Sequence, residues 1–300
     1  MAQAAMCRLP GQIDRPQIER PSKTEPQRIL PIAGYRLAIS WSPQYCATAP
    51  KGGRDAFQCG GRNGQFAFTL HGLWPDGPGK EWPQYCRAAD LLPRTVIRDN
   101  LCTTPSAQLL QHEWARHGTC MASQPALYFD LSRAFFQSLR FPDMAWLARR
   151  PALTVQAFSE AFAGRNRGMR ANMIRVTTTR DGWLREVWLC MDRAMEFTRC
   201  PTRPGDPARG GLLRIAAGPI ILDRRPAAPS AARPVRASGA IAPARMPAAD
   251  RKPATPPVSV NKPVSGKAGT GADPKPNRRP PLILDLDPRV QPLTNSAAPQ

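Results

Sequence analysis

Apolar and polar positions alternate in short runs that predict several strands. Tyr35-Arg-Leu-Ala-Ile-Ser-Trp41 alternates side-chain character like a strand, and Phe66-Ala-Phe-Thr-Leu70 is aromatic and β-branched enough for a second strand. Met173 to Thr177, Leu184 to Cys190 and Leu212 to Ile215 read as three more. Helical signals lie between them. Thr104-Pro105 has the form of an N-cap followed by proline at N1, opening a helix that Gly118 closes at C′. Leu127, Leu131, Phe135 and Leu139 fall on one helical stripe, and Thr154 caps a helix carrying Val155, Phe158 and Phe162. Trp41, Trp114 and Trp188 are expected in the core. Helices and strands without strict βαβ alternation predict an α+β fold.

The pattern divides the chain into three parts: a polar segment at 1–32, a folded domain at 33–223, and a Pro/Ala/basic-rich tail at 224–300. From Pro226 onward lie 16 of the 35 prolines, no aromatic residue, no cysteine and only 11 Leu, Ile, Val or Phe. Such a stretch buries too little apolar surface to offset its ordering entropy, so disorder is expected. Its alternating Leu282-Ile-Leu-Asp-Leu-Asp287 patch reads as an incidental apolar cluster or a docking element. The N-terminal part, with Pro10, Pro16, Pro21 and Pro26, is expected to be poorly ordered.

Lys and Arg number 42 against 22 Asp and Glu, a formal net charge of +20, which favours a polyanionic partner. The tail reads either as a solvated segment or as a contact for RNA or another anionic surface. No apolar run approaches the ~18 residues of a membrane span. Eight cysteines without a CxxC pair read as disulfides, and hence as a secreted or periplasmic location, although the first thirty residues show no secretory leader.

The three histidines, His71, His112 and His117, sit in two dense motifs, Phe68-Thr-Leu-His-Gly-Leu-Trp-Pro-Asp76 and His112-Glu-Trp-Ala-Arg-His-Gly-Thr-Cys120. On a helix, Glu113 and His117 are i, i+4 neighbours, as are His112 and Arg116. A carboxylate beside His117 would fix its tautomer and favour its protonated form. Gly72, after His71, suits a sharp turn at a strand end. Two imidazoles and a guanidinium match the needs of RNA transphosphorylation: a base for the 2′-hydroxyl, an acid for the departing 5′-oxygen, and cations for the phosphorane. That reaction calls for no metal and no organic cofactor. His112 and His117, five residues apart, lie about 140° apart around a helix, unsuited to joint zinc ligation.

These two motifs resemble the active-site segments of the ribonuclease T2 family in order and separation. Ile39-Ser-Trp-Ser-Pro-Gln-Tyr-Cys46 resembles its first strand, and Glu186-Val-Trp-Leu-Cys-Met-Asp192 with Cys200-Pro201 its late strand and paired cysteines. The resemblance implies an antiparallel sheet packed against helices and disulfides Cys46–Cys59, Cys86–Cys120 and Cys190–Cys200, leaving Cys7 and Cys102 paired or free. It implies His117 as general base and His71 as general acid. It also implies His112 on the scissile phosphate, with Glu113 and Arg116 stabilising the pentacovalent state. Trp74 would stack on a base; Asp76 would influence base preference or merely cap a turn. The family usually has lysine where this chain has Arg116. A monomeric, metal-independent endoribonuclease acting on single-stranded RNA is therefore expected. The alternative is a decayed RNA-binding or surface-anchored basic protein.

Overall fold

The computed structural model describes residues 7–50 and 52–218. The tail expected at 224–300 and its Leu282–Asp287 patch lie outside the described residues. The fold is α+β. Strands β1 (Gly34–Trp41), β2 (Phe68–Asp76), β3 (Ile174–Thr178) and β4 (Leu184–Met191) form one antiparallel sheet in the order β2-β1-β4-β3. Helices α1 (Ser42–Thr48), α2 (Ala56–Cys59), α3 (Arg94–Asn100), α4 (Ala107–Arg116), α5 (Pro125–Ser138), α6 (Met144–Ala148) and α7 (Val155–Gly164) occupy the connections.

Strand alternation makes the two faces of this sheet chemically different. Leu37 lies between Leu73 and Leu189, Ile39 between Leu70 and Val187, and Trp41 opposite Phe68. This face is the core, and all of these side chains are at most 4% exposed. Phe162 of α7 meets Phe68 edge-on at 6.4 Å, while Tyr128 of α5 reaches the Leu73 carbonyl at 3.0 Å. On the opposite face the same register brings Arg36 beside Trp74, Ala38 between Gly72 and Trp188, and Ser40 between Thr69 and Glu186. Polar residues on alternate positions thus build a second, chemically distinct surface from the same strands.

Several elements differ in detail from the expected ones. The N-cap of α4 is Ser106, whose hydroxyl accepts from Leu109 N at 3.2 Å; Thr104 is not the cap, because its hydroxyl donates to the Leu70 carbonyl of β2. The helix ends at Arg116, His117 is its C-cap, and Gly118 begins a 3-10 turn. A Cβ at Gly118 would lie 2.5 Å from the Trp114 ring, so close packing is the reason for glycine. In α5 the expected stripe drifts around the axis: Leu127 is exposed, and Tyr128, Phe129, Leu131 and Phe136 face the core. Leu212–Ile215 makes isolated bridges and no strand, because its hydrogen bonds are divided between Leu153 and the Gly182–Leu184 turn. Thr154 does cap α7, accepting from Ala157 N at 3.1 Å. Thr154→Ala should lower stability by about 1 kcal/mol, read from the denaturation midpoint.

The N-terminal segment runs from Cys7 to Ile32 without a helix or strand. Ile13 and Ile32 pack against the core, and the other anchors are a disulfide and polar bonds. Cys7 is bonded to Cys102, Arg8 N donates to Asn63 O, Gln17 N to the Gln108 side chain, and Arg28 exchanges backbone hydrogen bonds with Gln84. This strap lies along α4 and the segment after β2. The other disulfides join Cys46–Cys59, Cys86–Cys120 and Cys190–Cys200. Closing the 95-residue Cys7–Cys102 separation constrains the unfolded chain by about 4 to 5 kcal/mol in the loop-entropy account. Among the described residues no helix is long and apolar enough to cross a membrane.

Candidate active site

One cleft of about 900 Å³ gathers His71, Trp74, His112, Glu113, Arg116, His117, Arg36, Arg175, Trp188 and Arg203. Two elements, β2 and α4 with its C-cap, bring the first six together. β2 carries His71 and Trp74, α4 carries His112, Glu113 and Arg116, and the end of α4 carries His117.

His71 is not at a strand end. It lies inside β2, where Gly72 pairs with Ala38 and Leu70 with Ile39, leaving His71 as the extra residue of a β-bulge. A bulge re-aims a side chain that strict alternation would send elsewhere. Gly72 serves close approach instead of a turn: a Cβ there would land on the Glu113 carboxylate, and within 2.7 Å of Trp74 Nε1.

Glu113 is 1% exposed. Its Oε2 accepts from Trp74 Nε1 at 2.8 Å, with the Tyr128 hydroxyl at 3.4 Å, and its Oε1 lies 3.6 Å from His71 Nε2. The expected Glu113–His117 side-chain pairing is absent. Only the helical backbone bond, His117 N to Glu113 O at 3.0 Å, links them, because the carboxylate turns across to β2. Burial raises the Glu113 pKa, against the opposing charges of His71 and His112.

The two imidazoles beside Trp74 are driven in opposite directions. Burial, then the cations Arg116, His112, His71 and Arg36, press the His117 pKa well below the ordinary value. The protonated form of His117 is thus disfavoured, a reversal of the sequence expectation. His117 Nδ1 is buried without a hydrogen-bond partner among the described residues. Burial also works against a charged His71, but the Nδ1 bond to Glu186 Oε1 at 2.6 Å and the charges of Glu113 and Glu186 outweigh it, so its pKa is raised. Glu186 loses part of its ionised form's stability to burial, yet its bonds to His71, Trp188 Nε1 and Ser40 pull its pKa down to about 2. The His71 and His117 ring centroids lie 5.0 and 5.5 Å from Trp74, and His112 lies 6.5 Å from His117.

The remaining expected site residues have partners that sequence spacing did not disclose. Arg116 does not pair with His112; it donates to Glu25 Oε1 at 2.6 Å and to Gln84 Oε1 at 3.3 Å. Glu19, also on the strap, lies 3.6 Å from His112 Nδ1. Trp74 is tied to Glu113 and packs edge-on against Trp188 at 5.1 Å. Asp76 is held by both Arg36 Nε and Nη2, with Arg203 at 3.7 Å. Trp188, expected in the core, instead lines the cleft, since it projects from the polar sheet face beside Arg36 and Arg175. Glu186, Arg36 and Trp188 were missed as site residues. Their shared parity along β1 and β4 is the signal that could have found them. Glu19 and Glu25 carry no such signal. Among the described residues no group of three or more His, Cys, Asp or Glu is arranged to hold a metal ion.

Comparison with known proteins places this cleft in context. The chain is 33% identical over 125 residues to a Haemophilus influenzae protein named "Probable ribonuclease", covering 38% of this chain and 45% of that one. It is 29% identical over 161 residues to a ribonuclease of Aeromonas hydrophila, covering 53% and 71% respectively. The chain thus spans less than half of the Haemophilus relative. Among solved structures, RNase NT in complex with 5′-AMP is 22% identical with a TM-score of 0.49, covering 61% of this chain and 98% of that chain. The model of the Ribonuclease T2 family matches residues 34–200, from the first residue of β1 to the second cysteine of the last disulfide. That span takes in the sheet, both histidine motifs and α4, and the chain belongs to the ribonuclease T2 family.

Proposed function

We propose that this protein is an endoribonuclease that cleaves single-stranded RNA through a 2′,3′-cyclic phosphate to 3′-phosphate ends without a metal. One observation carries the reading: two imidazoles flank Trp74 in a single cleft, His71 between two carboxylates and His117 buried among cations. A neutral ring and a protonated ring coexist in such a site near neutral pH, as acid–base transphosphorylation needs.

In this mechanism neutral His117 takes the proton of the 2′-hydroxyl, and the 2′-oxygen forms a bond to phosphorus. The bond from phosphorus to the 5′-oxygen breaks, and His71 gives that oxygen its proton. Water then gives a proton to His71 and bonds to phosphorus, and the bond from phosphorus to the 2′-oxygen breaks as His117 returns its proton to that oxygen. His112 and Arg116 hold the phosphate oxygens. Arg116 can do so while bonded to Glu25 and Gln84 because a guanidinium has five N–H donors, whereas lysine would have three. Glu113 keeps Trp74 and His71 in place. Trp74 is a base-stacking surface, and Asp76 acts on base preference through Arg36. Four disulfides favour a secreted or periplasmic setting. A monomer completes the reading, with the basic tail at 224–300 as an added contact for RNA.

Product analysis on a defined RNA, with chelator present, tests the reading. Cyclic phosphate should appear first and 3′-phosphate later. Wild-type protein that binds this RNA and never cuts it would overturn the proposal.

A further inference from the structure

The cleft does not end at the imidazoles. We propose that Arg175, Trp188 and Arg203 form an outer nucleotide subsite, which binds the phosphate and base of a nucleotide flanking the cleavage point. This rests on single-stranded RNA being the substrate.

The sheet register supplies the first reason. Trp74, Arg36, Trp188 and Arg175 project from the polar face of β2, β1, β4 and β3 in turn, a row of alternating indoles and guanidiniums across the whole sheet. Arg36 and Arg175 lie 5.4 and 4.5 Å from the Trp188 ring. The row begins at the indole between the two imidazoles and leads away from them within one cleft. Flat rings and guanidiniums in a groove are what single-stranded nucleic acid requires, since bases stack and phosphates pair.

Charge supplies the second. Three guanidiniums share two carboxylates: Arg36 holds Asp76, Arg175 holds Asp206 at 2.5 Å, and Arg203 is left 3.7 Å from the already engaged Asp76. Burial and the nearby charge of Arg36 lower the Arg203 pKa, so an incoming anion would relieve a cost already present. Arginines serving only to neutralise Asp76 and Asp206 would number two.

The third reason is that the wall is built in advance. Arg203 lies on the Pro201–Pro204 edge of the cleft, just after Cys200, which is bonded to Cys190 of β4 and donates its backbone N–H to Asn172 O. The Arg203 backbone N–H is fixed on Asp206 at 2.8 Å. Trp188 Nε1 is held by Glu186, the same carboxylate that holds His71. Little ordering remains to oppose binding.

The test compares kcat/KM on a dinucleoside monophosphate with that on an octanucleotide. Wild type should favour the longer chain, and Arg203→Gln should reduce that preference by about tenfold, as for one charge-assisted contact. Arg203→Lys, which keeps the charge, should retain most of it. In parallel, binding of a 2′-O-methyl octanucleotide is followed by fluorescence anisotropy against salt. Arg203→Gln should flatten the logarithmic slope by about 0.7 for one lost phosphate contact. A wild-type preference and slope in Arg203→Gln would overturn the subsite. Arg203-dependent binding with no cleavage by wild type would support the subsite and overturn the nuclease reading instead.

Discussion

His117→Ala should lower kcat/KM on RNA by about a hundredfold to ten-thousandfold, the range spanned by a positioned general base. The pH profile of the unsubstituted protein gives the sharper readout. The base must be neutral, so activity falls on the acid side as His117 takes a proton. Its depressed pKa puts that limb below the ordinary imidazole value of about 6.5. The acid must be protonated, so activity falls on the alkaline side as His71 loses its proton, and its raised pKa puts that limb above 6.5. A plateau around the ordinary imidazole value should separate the two limbs. Glu186→Gln removes the carboxylate 2.6 Å from His71 Nδ1 and should move the alkaline limb downward while leaving the acid limb in place. Initial rates on one RNA at constant ionic strength, taken across the imidazole range, decide the matter. A profile without limbs would count against a two-histidine mechanism.

Gly72→Ala should be nearly as damaging, although glycine carries no chemistry. A Cβ at this position coincides with the Glu113 carboxylate and comes within 2.7 Å of Trp74 Nε1. The strand cannot back away, since Gly72 is paired with Ala38 in the sheet. Glu113 must therefore leave Trp74 and His71. Overpacking of this kind costs about 1 to 3 kcal/mol of stability. Displacing the group that positions His71 should lower kcat by about a hundredfold. Denaturant unfolding and kcat on the same preparation separate the two effects. Wild-type kcat in a folded Gly72→Ala protein would show that the Glu113 position is immaterial.

The two histidine motifs were legible because each is a continuous run whose side chains are chemically unusual together. The strands were legible for a related reason: alternation in Tyr35–Trp41 and Leu184–Cys190 reflects one face against the core and one away from it. Errors came where a residue's partner lies far along the chain. Helical spacing put Glu113 beside His117, yet the carboxylate crosses to Trp74, thirty-nine positions away. Trp188, expected in the core, faces the cleft because its register places it opposite Ala38 on the other side of the sheet. The strap is polar in composition, and the contacts that place it, Cys7 on Cys102, Ile13 and Ile32 on the core and Glu25 on Arg116, all reach residues far along the chain.

Local order therefore determined the class of this protein. Periodicity, the capping threonine of α7 and the paired histidine motifs are properties of neighbouring residues, and short-range sterics and hydrogen bonding act on them directly. Tertiary structure decided the electrostatics. Which imidazole is neutral and which is charged depends on burial and on Glu186, 115 positions from His71. Proton affinity follows from distance in space, which residue spacing along a folded chain does not measure.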